Sequence, residues 1–177
     1  GKRFRTKSIE QVVREIETIR DCCNYDNLLI KFNDANPIVN RKFIKSLLKR
    51  LIPLKIKSVF LADISIANDP ELLSLLNESG CQTVGIGLES LDEKILNEVS
   101  PWKKNRISDY KKSIKFIQDM GIIVAGNFML GLGPYDRDSL KKIRDFVIEN
   151  HIFCQYTTAT PYPGTKFYDE LNAQNRL

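Results

Sequence analysis

The chain has 177 residues, 42% of them hydrophobic and 28% charged, enough for one domain with a real core. No apolar run approaches the ~20 residues needed to span a bilayer, and no signal-peptide core opens the chain, so the composition points to a cytoplasmic globular domain. The net charge of +5 admits an anionic partner, but many of the lysines fall on helix faces, which favours a solvated basic surface.

Four cysteines occur, Cys22, Cys23, Cys81 and Cys154, with no CxxC or CxxxC spacing among them. That leaves no zinc or iron–sulfur signature, and reduced, mostly buried thiols are expected. His151 is the single histidine, which excludes a histidine-based triad or a multi-histidine metal site within these residues. The chain starts Gly1-Lys2-Arg3, without methionine, as expected of a piece of a longer protein.

In chain order the pattern alternates between helix and strand. Ser8 and Gln11 form a capping box ahead of Ile9, Val12, Val13, Ile16 and Ile19, which share a helical face. Residues 28–32 read as the first strand, ending in the polar run Asn33-Asp34-Ala35-Asn36. Phe43, Ile44, Leu47, Leu48 and Leu51 mark the next helix, stopped by Pro53. Residues 58–62 form the second strand, ending at Asp63. Asp69 followed by Pro70 is a helix start, and Gly80 a helix stop.

Residues 83–89 are the third strand, an apolar run consistent with burial on both faces. Gly85 and Gly87 open one face of it, and Glu89 and Ser90 close it. Ser90 with Glu93 reads as a second capping box, predicting a helix directly after Glu89. Pro101 ends that helix, and the basic segment 102–106 reads as a loop. Ile107, Tyr110, Ile114 and Ile117 mark another helix, closed by Gly121. Residues 122–130 are the fourth strand, followed by a Gly131-Leu132-Gly133-Pro134 turn. A helix carrying Leu140, Ile143, Phe146 and Val147 leads to the fifth strand, residues 153–157. A rigid turn over 160–165 precedes a short last helix with Phe167 and Leu171.

Five strands separated by helices imply a parallel α/β sheet with right-handed crossovers. A complete eight-stranded barrel needs ~250 residues. The residues therefore leave two arrangements open, a doubly wound sheet or part of a barrel. Polar groups at the strand ends, Asn33, Asp34, Asp63, Glu89, Ser90, Thr157 and Thr158, would converge on one rim. Asn127 within the fourth strand and Gly131 after it join that set. The dinucleotide fingerprint fails, because Gly85-x-Gly87 lies inside a strand and lacks its third glycine.

The ordered set Lys7–Ile16, Ile30–Asp34, Glu71–Leu73, Glu78–Cys81, Val84–Ser90, Gly126-x-Phe128-x-x-Gly131 and Thr160–Thr165 resembles the radical S-adenosylmethionine superfamily. Within it, the chain resembles the large group with an N-terminal cobalamin-binding domain, which includes anaerobic magnesium-protoporphyrin monomethyl ester cyclases. The resemblance implies a partial (β/α) TIM-like barrel of parallel strands from which the first strand and its CxxxCxxC cluster loop are missing. Residues 1–177 would then be a single domain, the C-terminal part of the core.

The implied cofactors are S-adenosylmethionine, a [4Fe-4S] cluster held by that upstream loop, and cobalamin through an N-terminal domain. In the family, the reduced cluster passes an electron to the sulfonium and a 5′-deoxyadenosyl radical abstracts a substrate hydrogen. The implied partners are a small-molecule substrate and an electron donor such as ferredoxin or flavodoxin.

By the same resemblance, Asn33 and Asp34 match the strand end that contacts the amino group of S-adenosylmethionine. Glu89 and Ser90 match the position near its ribose and methionine moiety. Residues 126–131 match the strand bordering the adenine, with Tyr156 beside it. Asp63, Gly87, Asn127 and Gly131 complete the candidate cofactor-binding set. The chain departs from the family's turn at Pro134-Tyr135-Asp136. The cysteine spacing gives this stretch no cluster loop of its own, so alone it is expected to be inactive and iron-free. Two other readings stay open: a tRNA-modifying methylthiotransferase-like domain, and a non-catalytic α/β binding domain. An edge on the 28–32 strand is expected to pair with another molecule or to be covered by residues 1–7.

Overall fold

The computed structural model describes residues 6–23, 28–34, 36–99, 101–104, 107–133 and 136–177. The first helix, α1 (Ile9–Cys23), begins at the predicted capping box: Ser8 N donates to Gln11 Oε1 at 3.0 Å and Gln11 N to Ser8 Oγ at 3.2 Å. Strand β1 (Leu29–Lys31) is short, and α2 (Arg41–Leu51) follows a turn of 3-10 helix at Pro37–Val39. Strand β2 (Lys57–Ala62) leads through a 3-10 segment, Ile64–Asn68, into α3 (Pro70–Glu78), capped by Asp69, which accepts from Leu72 N at 3.1 Å.

Strand β3 (Cys81–Glu89) precedes α4 (Glu93–Val99), α5 (Pro101–Lys104) and α6 (Tyr110–Asp119). Strand β4 (Ile123–Leu130), α7 (Arg137–Glu149), β5 (Phe153–Thr158) and α8 (Lys166–Ala173) complete the chain. Asp136 caps α7 by accepting from Ser139 N at 2.7 Å.

All five strands are parallel and lie in the order β1-β2-β3-β4-β5, curled into a half-barrel. Because each strand neighbours its predecessor, the chain never reverses direction across the sheet, as a doubly wound fold must. Crossovers of one hand then place the helices on one face. Side-chain alternation follows: Phe60, Val84, Ile86, Leu88, Val124 and Phe128 are fully buried beneath the helices. Against them pack Ile44, Leu48 and Leu51 of α2, Leu72, Leu73 and Leu76 of α3, and Tyr110, Ile114 and Ile117 of α6. Each such side chain contributes about 1.5–3 kcal/mol on burial. The alternate positions face the concave side, where Leu29 (54% exposed), Ile123 (45%) and Phe153 (68%) remain open. Among the described residues β1 is an edge strand, as the sequence predicts.

Three expectations are corrected. The helix after β3 does not start at Ser90. Asp92 is its cap, accepting from Lys94 N at 2.7 Å and Ile95 N at 3.3 Å, while Ser90 Oγ accepts from Asp92 N at 3.0 Å. Ser90 and Asp92 compete for the same role, and the aspartate lies nearer the apolar run. The segment after Pro101 is not all loop. Residues 101–104 form a helical turn with proline at its first position, where a missing N–H costs nothing; residues 105–106 lie outside the described residues. The thiols are not mostly buried: Cys22 and Cys23 are exposed at the end of α1, Cys154 is half-buried, and Cys81 alone is buried. The expected cover by residues 1–7 and the departure at Pro134-Tyr135 also fall largely outside the described residues.

Gly80 makes the tightest turn, with φ at +86°. A Cβ there would sit 2.0 Å from the Ile56 carbonyl oxygen. Gly80→Ala should therefore lower stability by about 2–4 kcal/mol, from left-handed strain plus overpacking. Urea unfolding followed by far-ultraviolet circular dichroism measures it, and a loss below 1 kcal/mol would show that the α3–β3 turn can shift.

Candidate functional site

Parallel strands all finish at one edge, so the polar strand ends meet on a single rim. On β3 the last turn is distorted. The pairing of β3 with β4 runs Gly85 to Ala125 and Gly87 to Asn127, then slips, so that Glu89 stands opposite Phe128. One extra residue is therefore accommodated in β3, a bulge. Glu89 adopts φ +63°, and Ser90 N donates to Leu88 O at 2.8 Å across it. A three-residue turn with positive φ at its centre is the rarer, strained form of the γ-turn. A glutamate held there costs roughly 1–2 kcal/mol. Bulges next to sites re-aim a side chain, and strain of this kind collects where function over-determines the backbone.

Gly87 and Asn127 are register partners on the concave face, with Gly85 one step below. A Cβ on Gly85 would meet Leu61 Cδ2 at 2.8 Å and Asn127 Nδ2 at 3.4 Å, so the glycine lets β2 and β4 side chains close over β3 there. Gly131, with φ +85°, turns the chain off β4 at the same rim. Ser90 is 1% exposed, and its hydroxyl holds the turn into α4. Asn33 and Asp34 line a cavity of about 570 Å³ between α1, β1 and α2, with Phe32 and Asn36 beside them.

Asp63 plays a part that the sequence does not disclose. Its Oδ1 accepts from Ser65 N at 2.8 Å and its Oδ2 from Asn36 Nδ2 at 2.9 Å, so both oxygens are engaged within the chain. Burial pushes its carboxyl up, but hydrogen bonds from the Ser65 and Asn36 side chains and the Ser65 amide, with Arg41 nearby, overcome that and hold it below the usual carboxylate range. The stabilisation from a depressed carboxyl is present above its unfolded value and is lost as pH falls through the folded one. Asn36, Ser65 and Arg41 were not among the candidates. The polar run 33–36 signals Asn36 alone, and the bonds from Asn36 to Asp63 and from Arg41 to Ser65 span 27 and 24 residues.

Tyr156 is not brought to the concave face. It pairs in register with Phe128, whose ring it tilts against at 6.2 Å, and Phe128 belongs to the helix-covered side. Burial and a side-chain hydrogen bond with Cys154 push its hydroxyl up to about 12. Alternation decides this: an even offset from Cys154 keeps Tyr156 on the face that Cys154 occupies.

The thiols do not fit an iron–sulfur cluster. Cys22 and Cys23 end α1, Cys81 opens β3 and Cys154 lies in β5. Burial pushes the Cys81 thiol up to about 12, so it stays protonated at neutral pH. The rim and concave face, by contrast, set half-buried Gly87 and Asn127 beside a carboxylate on a strained turn.

Comparison with known proteins agrees with this geometry. The Radical SAM superfamily profile matches residues 1–147. The chain is 27% identical, over 99% of its length, to bacteriochlorophyllide d C-12(1)-methyltransferase of Chlorobaculum tepidum, and spans 39% of that protein. It is 26% identical, over 95% of its length, to the anaerobic magnesium-protoporphyrin IX monomethyl ester cyclase of Rubrivivax gelatinosus, and spans 30% of it. The radical S-adenosylmethionine methyltransferase TsrM of Kitasatospora setae, solved with cobalamin and a [4Fe-4S] cluster bound, superimposes with a TM-score of 0.73 over 96% of this chain and 34% of that one, at 14% identity.

The strain at Glu89 has a direct test. Glu89→Gly and Glu89→Ala both remove the carboxylate, but only glycine relieves the positive φ. The glycine variant should be the more stable by about 1 kcal/mol in chemical denaturation. Equal stabilities would mean that the turn relaxes freely.

Proposed function

The chain belongs to the radical S-adenosylmethionine superfamily, and from that premise we propose that it forms the S-adenosylmethionine and substrate side of the core of a cobalamin-type enzyme that methylates a small, largely apolar molecule of the tetrapyrrole class. The observation that carries this reading is the bulge at Glu89, which puts a carboxylate on a strained turn at the rim, two residues past Gly87, the register partner of Asn127.

In this reading Glu89 accepts hydrogen bonds from the cofactor's ribose or methionine moiety, and Asn33 and Asp34 take its amino group. Gly87 and Asn127 leave room for its body. Bound S-adenosylmethionine and the cluster supply the radical chemistry, while these residues bind and orient. The cluster would be held by residues upstream of this stretch, on a strand that pairs with the β1 edge, and cobalamin by a separate domain. A cytoplasmic ferredoxin or flavodoxin would deliver electrons.

Methyl transfer is favoured over oxidative ring closure by the likeness to the bacteriochlorophyllide methyltransferase, which extends over 99% of the chain. Val59, Leu61, Ala125 and Met129 give the concave face an apolar floor, which suits a flat hydrophobic substrate better than a charged backbone. The basic balance does not argue for tRNA. Lys45 pairs with Asp69 and Glu71, Lys111 with Glu149 and Lys115 with Asp119, so much of the lysine surface is matched by carboxylates.

Two variants of the whole protein test the assignment. Glu89→Gln should weaken S-adenosylmethionine binding roughly 10–100-fold, the share of a hydrogen bond to a charged group. Gly87→Val should fold, since a strand tolerates a β-branched residue, yet lose the ligand. Titration calorimetry reads both, and unchanged affinity in either variant sinks the corresponding contact.

A further inference from the structure

Among the described residues, the loop after β1 has few ties to the sheet. Phe32 N donates to Val59 O at 2.9 Å, and beyond that bond the chain leaves the ladder, carrying Asn33 and Asp34 outward. β1 itself is three residues long with Leu29 and Lys31 exposed, so it cannot by itself hold the loop. A polar chain of contacts does so from the neighbouring strand end. Asn36 Nδ2 donates to Asp63 Oδ2 at 2.9 Å, Ser65 N donates to Asp63 Oδ1 at 2.8 Å, and Arg41 Nη2 donates to Ser65 Oγ at 2.8 Å.

The order in the chain matters. Asn36 and Arg41 sit at the two ends of the segment joining the β1 loop to α2, and both are fastened to the segment that follows β2. That segment is rigid, because Ile64 and Ile66 within it are 3% and 0% exposed. Below the loop, Phe32 and Phe60 stack at 4.2 Å with their rings nearly parallel. Asn36 Oδ1 and Arg41 Nη1 are buried with no hydrogen-bond partner among the described residues. Orphaned polar atoms are costly, and a cluster tuned only for stability would not keep two of them.

We propose that Asn36 and Asp63, braced by Ser65 and Arg41, are positioning residues that set Asn33 and Asp34 for the amino-acid end of S-adenosylmethionine. This rests on the reading of Asn33 and Asp34 given above. Asp63 therefore acts through the loop rather than on the cofactor, and its ionised form makes it a strong acceptor for Asn36.

The experiment compares two ligands in the whole protein. S-adenosylmethionine carries the amino-acid moiety, and 5′-methylthioadenosine keeps the nucleoside and lacks it. Asn36→Ala should weaken S-adenosylmethionine about tenfold and change methylthioadenosine less than twofold. Ser65→Ala, which removes the acceptor of Arg41 and one side-chain donor to Asp63 but leaves the Asn36–Asp63 bond in place, should shift the same ratio in the same direction by a smaller factor, and it serves if Asn36→Ala fails to fold. The double variant Asn33→Ala, Asp34→Ala is the reference for the direct contact.

Equal losses for both ligands would mean general damage and overturn the positioning role. A loss in the double variant with neither Asn36→Ala nor Ser65→Ala shifting the ratio would overturn it as well, leaving the direct contact intact. No selective loss in the double variant would instead refute the reading of Asn33 and Asp34 on which the inference stands.

Discussion

Each strand lies beside its sequence neighbour and runs parallel to it, and the rest of the structure depends on that constraint. Crossovers of one hand between adjacent strands put every helix on the same side. One face of the sheet is therefore packed to full burial, and the other stays open. Within a single strand the consequence is visible at β3. Val84, Ile86 and Leu88 are wholly buried, while Gly85 and Gly87 between them look toward the concave side. The same constraint gathers the polar strand ends at one rim, because parallel strands cannot end at opposite edges.

Some of the places where the chain gives up stability lie on that rim or on the open face. Glu89 sits at positive φ, Asn36 and Arg41 each bury an unpartnered atom, and Leu29, Ile123 and Phe153 present apolar surface to solvent. A sequence selected only for folding would replace several of these. Ser58 Oγ, beneath the helices, is also buried without a hydrogen-bond partner among the described residues. By contrast the exposed ion pairs, such as Lys111 with Glu149, are each worth less than about 1 kcal/mol and explain solubility rather than fold.

Asp63 shows how a strand-end carboxylate is divided between structure and chemistry. Its position matches those of Asn33, Asp34 and Glu89, one strand away on either side. Yet its oxygens cap a 3-10 turn and hold the neighbouring loop, so its work is done inside the protein. Glu89, one strand further on, is instead lifted by a bulge onto a strained turn. Equivalent places in a repeating β/α unit thus carry different duties, set by what each side chain meets after the strand ends.

Much of this was legible in the residues. Helical faces such as Ile44, Leu47, Leu48 and Leu51, the capping pair Ser8 and Gln11, and the stops at Gly80 and Gly121 are local signals, and local physics suffices to read them. The ordered motifs through Val84–Ser90 carried the family. Burial of Cys81, by contrast with exposed Cys22 and Cys23, was not readable, because exposure depends on what packs above a residue. Whether Asp92 or Ser90 caps α4 turned on a difference of two positions within one polar run. The choice between a doubly wound sheet and a barrel is one of strand order, which no periodicity encodes. The slip that tilts Glu89 into positive φ needs β4 as a partner, and the face of Tyr156 needs the register with Phe128. The fastening of Asn36 and Arg41 to Asp63 and Ser65 joins groups 24–27 residues apart, and only the folded sheet brings those separations to hydrogen-bond distance.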